Sequence, residues 1–170
     1  RAAVVLTLIA AGFAGSDRLG QIAEDSLFAD QLVYTEQSSY QRISITRAGE
    51  RFQLFLDGNL QFSSADEYRY HEALVHPAFA VARQHARVLV MGGGDGLAVR
   101  EILKYPGVKE VTLVDLDPAM TRLARGVPWV RELNGDSLGD PRVRVVNADA
   151  MAWLAESPPA TRFDVMIADF

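Results

Sequence analysis

The sequence predicts an α/β fold in which a parallel sheet follows a small antiparallel meander of β-strands. Two patterns predict this fold. From residue 86 onward, short apolar runs alternate with helical stretches, which is typical of parallel strands joined by right-handed helical crossovers. Between residues 38 and 63, hydrophobic side chains instead recur at every second position, and turn residues separate the runs. We therefore divide this part of the chain into a meander (38–63), a helical link (64–85) and an α/β domain (86–170).

The meander is predicted from alternating segments that turn residues separate. Asp57-Gly58-Asn59 is a strong hairpin signal, because Asp, Gly and Asn accept the backbone angles of a tight turn. The preceding residues, 16–37, are polar with some amphipathic helical character, and we expect them to form a connector. The predicted strands of the meander cover residues 40–46, 51–56 and 60–62.

The helical link is predicted to begin at Ser64. Ser64 and Glu67 have the spacing of a capping box, in which the two side chains bond the free backbone N–H groups of a helix start. The helix carries Tyr70 and His71. We expect Pro77 to interrupt it, because proline lacks the N–H that a helix interior uses.

The α/β domain brings acidic side chains to one edge of its predicted sheet. In open α/β sheets, ligands bind outside the carboxyl ends of the strands. The predicted strands are 87–91, 110–114, 142–146 and 163–168, and the aspartates at or after their ends are Asp95, Asp115 with Asp117, Asp149, and Asp169. A helix cap explains Asp149 alone equally well. Capping explains four successive strands less easily, so the pattern indicates a ligand site.

The glycine-rich loop at residues 92–94 indicates which ligand this is. The loop follows a strand and opens a helix, and Asp115, about 20 residues further on, fits a carboxylate that accepts from ribose hydroxyls. A carboxylate at Asp95 would repel a pyrophosphate and favours a ligand with a cationic amine and no acid group. Two simpler interpretations stay open: a tight connection between strand and helix, and an Asp95 that caps the helix and points elsewhere.

Composition narrows the possible partners. The 170 residues carry a formal net charge of −5, which argues against general binding to nucleic acid and suits a cationic ligand. The absence of cysteine excludes disulfides and Cys-based metal sites. The three histidines are scattered along the sequence, and we expect no metal site.

The two ends predict that the chain is a piece of a longer protein, since it begins at Arg1 and stops at Phe170, directly after a strand-like run. Residues 2–15 are uncharged and mostly apolar. As a helix they would span about 21 Å, less than the roughly 30 Å core of a bilayer. They fit the end of a transmembrane helix, a buried soluble helix or the core of a signal peptide. Of these three interpretations, we favour the one in which residues 1–15 are the end of a transmembrane helix.

Several short motifs occur together along residues 38–170. They are Ser39-Tyr40-Gln41, Leu56-Asp57-Gly58 with Gln61, Tyr70-His71-Glu72, Gly92 to Gly96 with Arg100-Glu101, and Val114 to Asp117. Together, in this order, they resemble the spermidine synthase (polyamine aminopropyltransferase) family, and the apolar start resembles its membrane-anchored members. The resemblance implies a Rossmann-like (class I methyltransferase-like) parallel sheet over 86–170 that binds a nucleoside and is truncated at its C-terminal side.

The resemblance also implies a role for each matching residue. In the site for decarboxylated S-adenosylmethionine, Asp95 holds the aminopropyl ammonium, Asp115 binds the ribose hydroxyls, and Asp149 with the backbone of Ala150 reads the adenine amino edge. Gln41, Gly92 and Gly94 complete that site. The amine site consists of Gln61, Tyr70, His71 and Asp169, and Tyr70 and Asp169 are the candidate catalytic residues.

The reaction that the resemblance implies is transfer of an aminopropyl group from decarboxylated S-adenosylmethionine to putrescine, with release of methylthioadenosine. Decarboxylated S-adenosylmethionine serves as a co-substrate, and no tightly bound cofactor or metal is implied. We expect a homo-oligomer at the cell membrane with its catalytic domain in the cytoplasm; a cytoplasmic protein is the alternative.

Two departures from the family pattern qualify this expectation. Leu97 stands where relatives often have a second glycine, and the chain ends one residue after Asp169, before the second aspartate that the family associates with deprotonating the amine. We therefore expect this chain by itself to be inactive. Two alternatives stay open: a methyltransferase that uses S-adenosylmethionine, and a non-catalytic homologue that binds polyamines or nucleosides. A dehydrogenase is disfavoured by Asp95.

Overall fold

The computed structural model describes residues 28–158 and 161–170, and these residues form two sheets that pack against a common set of helices. The first sheet is an antiparallel meander in which neighbours along the chain are neighbours in space. Its strands are β1 (Gln31–Gln37), β2 (Arg42–Ala48), β3 (Arg51–Leu56) and β4 (Asn59–Ser63). The tight turn between β3 and β4 places Asp57 at φ 50° and Gly58 at φ 79°, which confirms the predicted hairpin.

Strand β1 corrects the prediction that residues 16–37 form a connector. Leu32-Val33-Tyr34 is a continuous apolar run, which hides the period of two, and Val33 is 41% exposed. Pairing with β2 makes the strand, with a register shift between Leu32 and Tyr34. Residues 16–27 of that segment, and the apolar residues 1–15, lie outside the described residues. Among the described residues, no helix is both long enough and apolar enough to cross a membrane.

Helix α1 (Glu67–Val81) differs from the predicted helical link at its start and at Pro77. Asp66, rather than Ser64, is the N-cap, and the hydroxyl of Ser64 accepts a hydrogen bond from the backbone N–H of Phe52 in the meander. The expected interruption at Pro77 is also wrong, because the helix continues through it. Val75 and Phe79 lie on either side of this proline and are both buried in the core, so tertiary packing holds the helix together there.

The second sheet confirms the predicted parallel α/β fold. Its strands are β5 (Arg87–Gly92), β6 (Glu110–Asp115), β7 (Val143–Asn147) and β8 (Val165–Asp169), paired in the order β7-β6-β5-β8. The connecting helices are α2 (Leu97–Leu103), α3 (Pro118–Gly126), α4 (Pro128–Leu133), a 3-10 turn (Ser137–Gly139) and α5 (Ala150–Glu156). The strand order reverses at β5, and ligands of such sheets bind in the crevice at this reversal.

The meander is fixed to the α/β domain by a shared apolar cluster. Ile43, Ile45 and Phe52 of the meander pack in one buried cluster with Leu97 of α2 and Met120 of α3. This contact holds the inner face of the meander over the carboxyl edge of the parallel sheet. The space between them is the candidate site.

Candidate active site

A cavity of about 370 Å³ lies between the meander and the carboxyl ends of β5, β6 and β8. The candidate site residues from the sequence analysis that line it are Gln41, Gln61, Tyr70, His71, Gly94, Asp95, Asp115 and Asp169, and the strand-end aspartate Asp117 lines it too. Gly92, Asp149 and Ala150 are not part of its wall. Four aspartates from the ends of three strands therefore line one space, as the strand-end pattern predicts.

The glycines of the loop after β5 let the chain pass very close to two of these carboxylates. A Cβ at Gly92 would lie 2.0 Å from the carbonyl oxygen of Asp169, and one at Gly93 would lie 2.7 Å from Asp169 Oδ2. A Cβ at Gly94 would lie 2.7 Å from the carboxyl carbon of Asp115. Gly92 and Gly93 also have positive φ angles, which glycine adopts without strain. The loop is therefore glycine-rich because carboxylates pack directly against it.

Asp95 both caps a helix and lines the cavity. Its Oδ1 accepts a hydrogen bond of 2.8 Å from the backbone N–H of Leu97 at the start of α2. Burial raises the pKa of Asp95 to about 6; the nearby His71 opposes this rise, and the negative charge of Asp169 adds to it. The simpler interpretation of Asp95 as a cap thus holds for one oxygen, while the residue remains part of the cavity wall.

Asp115 is held by two backbone N–H groups. Its Oδ2 accepts from Gly94 at 2.9 Å, and its Oδ1 accepts from Asp117 at 2.8 Å. Burial raises the pKa of Asp115, although the two backbone hydrogen bonds favour its charged form. Since each carboxylate oxygen can accept more than one hydrogen bond, both oxygens can still accept from a ligand hydroxyl.

Tyr70 and Asp169 form the other side of the cavity. The phenol of Tyr70 donates to Asp169 Oδ1 at 2.9 Å, and no described residue bonds the buried Oδ2 of Asp169. Burial, followed by the negative charge of Asp169, raises the pKa of Tyr70 to about 12. Tyr70 therefore acts as a hydrogen-bond donor here, and Asp169 keeps one buried oxygen that no described residue bonds.

His71 is oriented by the buried carboxylate of Glu67. The sequence analysis had assigned Glu67 to a capping box with Ser64. Its Nδ1 lies 2.8 Å from the carbonyl oxygen of Glu67 and 2.9 Å from Glu67 Oε2. Both neighbours are acceptors, so Nδ1 carries a hydrogen. Glu67 is held in turn by Arg100, through contacts of 2.8 and 3.0 Å. Burial lowers the pKa of His71, but the bond to Glu67 and the charge of Asp95 outweigh it, so the net change is a rise.

The spacing of Glu67 and His71, one helical turn apart, is the sequence signal that could have revealed this contact. No local signal joins Glu67 to Arg100, because the two residues lie 33 positions apart. Their contact follows only from the packing of α1 against α2.

Gln41 and Gln61 occupy the meander side of the cavity. The Nε2 of Gln41 donates to Asp117 Oδ2 at 3.1 Å, and the hydroxyl of Ser38 donates to the same oxygen at 2.6 Å. The side chain of Gln61 is exposed and makes only a long contact, of 3.4 Å, with the carbonyl of Asn59. The role of Asp117 as an anchor for the meander was not expected from its position at a strand end.

Asp149 lies at a strand end but serves as a helix cap. Its Oδ1 accepts from the backbone N–H groups of Met151 at 2.9 Å and Ala152 at 3.0 Å, at the start of α5. This is the simpler interpretation that the sequence left open. The adenine-reading role of Asp149 and Ala150 stays a prediction.

Away from the cavity, Glu72, His76 and Glu101 place potential metal-ligand atoms within 4.8 Å of one another. Glu101, which is fully buried, already pairs with Arg100 at 2.9 Å and Lys104 at 2.5 Å. The Nδ1 of His76 bonds the hydroxyl of Tyr105. Two of the three possible ligands, His76 and Glu101, are therefore already engaged in hydrogen bonds and ion pairs.

Relatives with known names share both the sequence and the fold. The Spermine/spermidine synthase domain model matches residues 67–170. Polyamine aminopropyltransferase 2 of Ralstonia nicotianae is 54% identical over all 170 residues, and polyamine aminopropyltransferase of Leptospira interrogans is 52% identical over 167 residues, or 98% of the chain. In both cases the match covers 33% of the relative, so the chain spans about a third of their length.

Solved structures give the same result. Spermidine synthase from Thermotoga maritima aligns with a TM-score of 0.74 and 31% identity, over 81% of this chain and 48% of that one. A spermidine synthase in complex with the transition-state analogue AdoDATO aligns with a TM-score of 0.75 and 31% identity, over 82% of this chain and 46% of that one. The motifs at the cavity, the shared fold and the domain match agree, and the chain belongs to the spermine/spermidine synthase family.

Proposed function

We propose that the protein to which this chain belongs is a polyamine aminopropyltransferase that uses decarboxylated S-adenosylmethionine and putrescine. The observation that carries the proposal is the carboxylate of Asp95 inside the glycine loop, in one cavity with Asp115 and Asp169. Carboxylates that share one cavity repel one another, and a cationic ligand relieves that repulsion. A nucleoside with a sulfonium and a free ammonium fits this charge, whereas a nucleotide phosphate does not.

The residues divide between the two substrates in this proposal. Asp115 binds the ribose hydroxyls, Asp149 with the backbone of Ala150 reads the adenine amino edge, and Asp95 holds the aminopropyl ammonium. Asp169, whose Oδ2 has no partner among the described residues, binds the amine substrate beside Tyr70. The remaining candidate residues shape the cavity and its surroundings; they are Gln41, Gln61, His71, Gly92 and Gly94.

The chemistry is a displacement at carbon. The neutral nitrogen of the amine attacks the methylene next to the sulfonium, the new C–N bond forms as the C–S bond breaks, and methylthioadenosine leaves as a neutral thioether. The product nitrogen then loses a proton. Because sulfonium is a good leaving group, the protein has to align the two reactants and accept that proton. Asp169 is one acceptor in reach, and we expect the principal base beyond Phe170.

The test is an aminopropyl-transfer assay on the full-length protein. We expect putrescine and decarboxylated S-adenosylmethionine to give spermidine and methylthioadenosine in equal amounts. We expect S-adenosylmethionine to support neither product, because its additional carboxylate would face Asp95. Methyl transfer from S-adenosylmethionine would identify a methyltransferase instead. Binding of both substrates without turnover would identify a non-catalytic binding protein.

Membrane attachment and oligomeric state form a separate part of the proposal. We propose that residues 1–15 attach a homo-oligomeric protein to the cell membrane, with the active site in the cytoplasm. The uncharged, apolar character of residues 2–15 supports attachment. Fractionation of the full-length protein, followed by light scattering of the detergent-extracted material, tests both points. Recovery as a monomer in the aqueous fraction would contradict them.

A further inference from the structure

We infer that Asp117 is a specificity-determining positioning residue, which turns the side-chain amide of Gln41 so that its carbonyl oxygen faces the ligand cavity. The inference rests on the proposed function, because it concerns how that cavity selects a cationic nucleoside. Asp117 acts through Gln41 in this scheme.

The first step is the set of contacts around Asp117, which is only 2% exposed. Its Oδ1 accepts from the backbone N–H of Ala119 at 2.9 Å and caps helix α3. Its Oδ2 lies 2.6 Å from the Ser38 hydroxyl and 3.1 Å from Nε2 of Gln41. One carboxylate therefore joins the start of α3 to the loop between β1 and β2.

The second step shows that Asp117 Oδ2 is an acceptor. The hydroxyl oxygen of Ser38 already accepts from two backbone N–H groups, those of Tyr40 and Gln41, each at 3.0 Å. With both of its lone pairs used, Ser38 has only its hydrogen left to offer. Its two possible acceptors are the backbone oxygen of Gln41 at 3.0 Å and Asp117 Oδ2 at 2.6 Å, and it donates to the carboxylate, which is nearer and charged. Since Oδ2 accepts from Ser38, the group of Gln41 that faces the same oxygen is its NH2.

The third step is the consequence for the cavity. A glutamine amide has its two donors on one side and its acceptor on the other. With its NH2 held by Asp117, Gln41 presents Oε1 to the cavity that it lines. This oxygen adds an acceptor to the four aspartates that line the cavity, one of which is Asp117 itself. The arrangement favours a ligand with hydrogen-bond donors or positive charge at that position.

Asp117→Asn inverts this arrangement with almost no change in shape. Asparagine caps helices as well as aspartate does, so its oxygen can keep the bond to Ala119. The new NH2 then faces Gln41, and two donors cannot bond each other. The amide of Gln41 must rotate and present its own NH2 to the cavity. Ser38 retains an acceptor in the backbone oxygen of Gln41, at 3.0 Å.

The experiment is a double-mutant cycle in the full-length protein, with calorimetric binding of decarboxylated S-adenosylmethionine. We expect Asp117→Asn to weaken binding about tenfold when residue 41 is glutamine, which corresponds to the loss of one hydrogen bond to a charged ligand. In the Gln41→Ala background, the same change should alter the affinity less than twofold. An equal loss in both backgrounds would overturn the inference, because Asp117 would then act independently of Gln41.

A measurement without ligand separates this inference from the proposed function. The side-chain NH2 protons of Gln41, identified by their disappearance in Gln41→Ala, should change their NMR shift in Asp117→Asn when the carboxylate bond is lost. If the wild-type protein binds neither decarboxylated S-adenosylmethionine nor methylthioadenosine, the proposed function is wrong. The NH2 signal of Gln41 still tests whether Asp117 orients this side chain. An unchanged signal would overturn the inference.

Discussion

The aspartates at the strand ends fall into two groups that differ in what their carboxylates contact. On the β5 and β8 side, Asp169 keeps one buried oxygen that no described residue bonds, and Asp95 has only one of its oxygens on a backbone N–H. On the β6 and β7 side, Asp117 and Asp149 each cap the next helix through Oδ1, and Asp117 also bonds Ser38 and Gln41 through Oδ2 at the cavity wall. Asp115 lies between the groups, with both oxygens on backbone N–H groups but facing the cavity.

The difference follows from where each helix begins. Asp117 and Asp149 come directly before helices α3 and α5, so the free N–H groups of the first turn lie within reach of their side chains. Asp169 is the last residue of β8 and faces the glycine loop instead. An acidic residue at a strand end can thus cap a helix and line the cavity at once, as Asp95 and Asp117 do, and the surrounding N–H groups decide which oxygen caps.

The largest effect should come from the glycine loop that brings the β5 and β8 side together. Gly92→Ala places a methyl group on the carbonyl oxygen of Asp169, at a position where φ is +79°. Gly49→Ala is the matched control, because φ there is +64° but nothing lies within 4 Å of the added Cβ. We expect Gly49→Ala to lower the free energy of unfolding by about 1 kcal/mol and Gly92→Ala by about 3 to 5 kcal/mol in urea titrations. Similar losses would mean that the loop is not tightly packed.

Stability should depend on pH through Asp95. Its pKa is raised to about 6 in the folded protein, against 3.8 without burial. The folded state therefore holds this proton over the range between these values while the unfolded state releases it, so stability falls as the pH rises from 4 to 6. Asp95→Asn should remove this fall, which amounts to at most about 3 kcal/mol. Because other acids titrate too, the quantity to compare is the difference between wild type and Asp95→Asn across that range.

Removal of the phenol hydroxyl should test the pair on the β8 side. Tyr70→Phe leaves Asp169 Oδ1 without its donor, and we expect kcat/KM of the full-length enzyme to fall about tenfold. In the Asp169→Asn background the same change should cost much less, since the charged acceptor is gone. Stability should change little in either case, because Tyr70 is 52% exposed. If Tyr70→Phe instead lowered kcat/KM by the same factor in both backgrounds, the two residues would not act as a pair.

The smallest effect should come from the capping side. Asp149→Asn retains an oxygen for the bonds to Met151 and Ala152, so the unfolding free energy should change by less than about 0.5 kcal/mol. If Asp149 also reads adenine, the affinity for methylthioadenosine should fall, and we expect a loss of about three- to tenfold. An unchanged affinity would leave Asp149 as a cap alone.

The sequence predicted the parallel sheet and the edge where the acids meet, because alternating strands and helices restrict the chain to few topologies. It missed strand β1, where pairing with β2 rather than a local pattern makes the strand. The sequence analysis also assigned Glu67 to a helix cap, whereas its carboxylate bonds His71 and Arg100.

Contacts between distant segments decided the details of the site. The pair of Ser38 and Asp117 spans 79 positions, and the pair of Tyr70 and Asp169 spans 99. The sequence analysis placed Asp117 and Asp169 at strand ends and Tyr70 on the helical link, but it did not single out Ser38. Which oxygen caps a helix and which remains available depends on the packed geometry, and no periodicity encodes it.

The most direct test of the cationic-ligand site is the effect of Asp95→Asn on two ligands of the full-length protein. Decarboxylated S-adenosylmethionine carries the ammonium that Asp95 is proposed to hold, and methylthioadenosine lacks it. We expect the variant to bind decarboxylated S-adenosylmethionine about 100-fold more weakly and methylthioadenosine less than threefold more weakly. Asp136→Asn, a change at an exposed aspartate paired with Arg131 outside this cavity, should alter neither affinity. Equal losses for both ligands in Asp95→Asn would contradict the proposed charge selection.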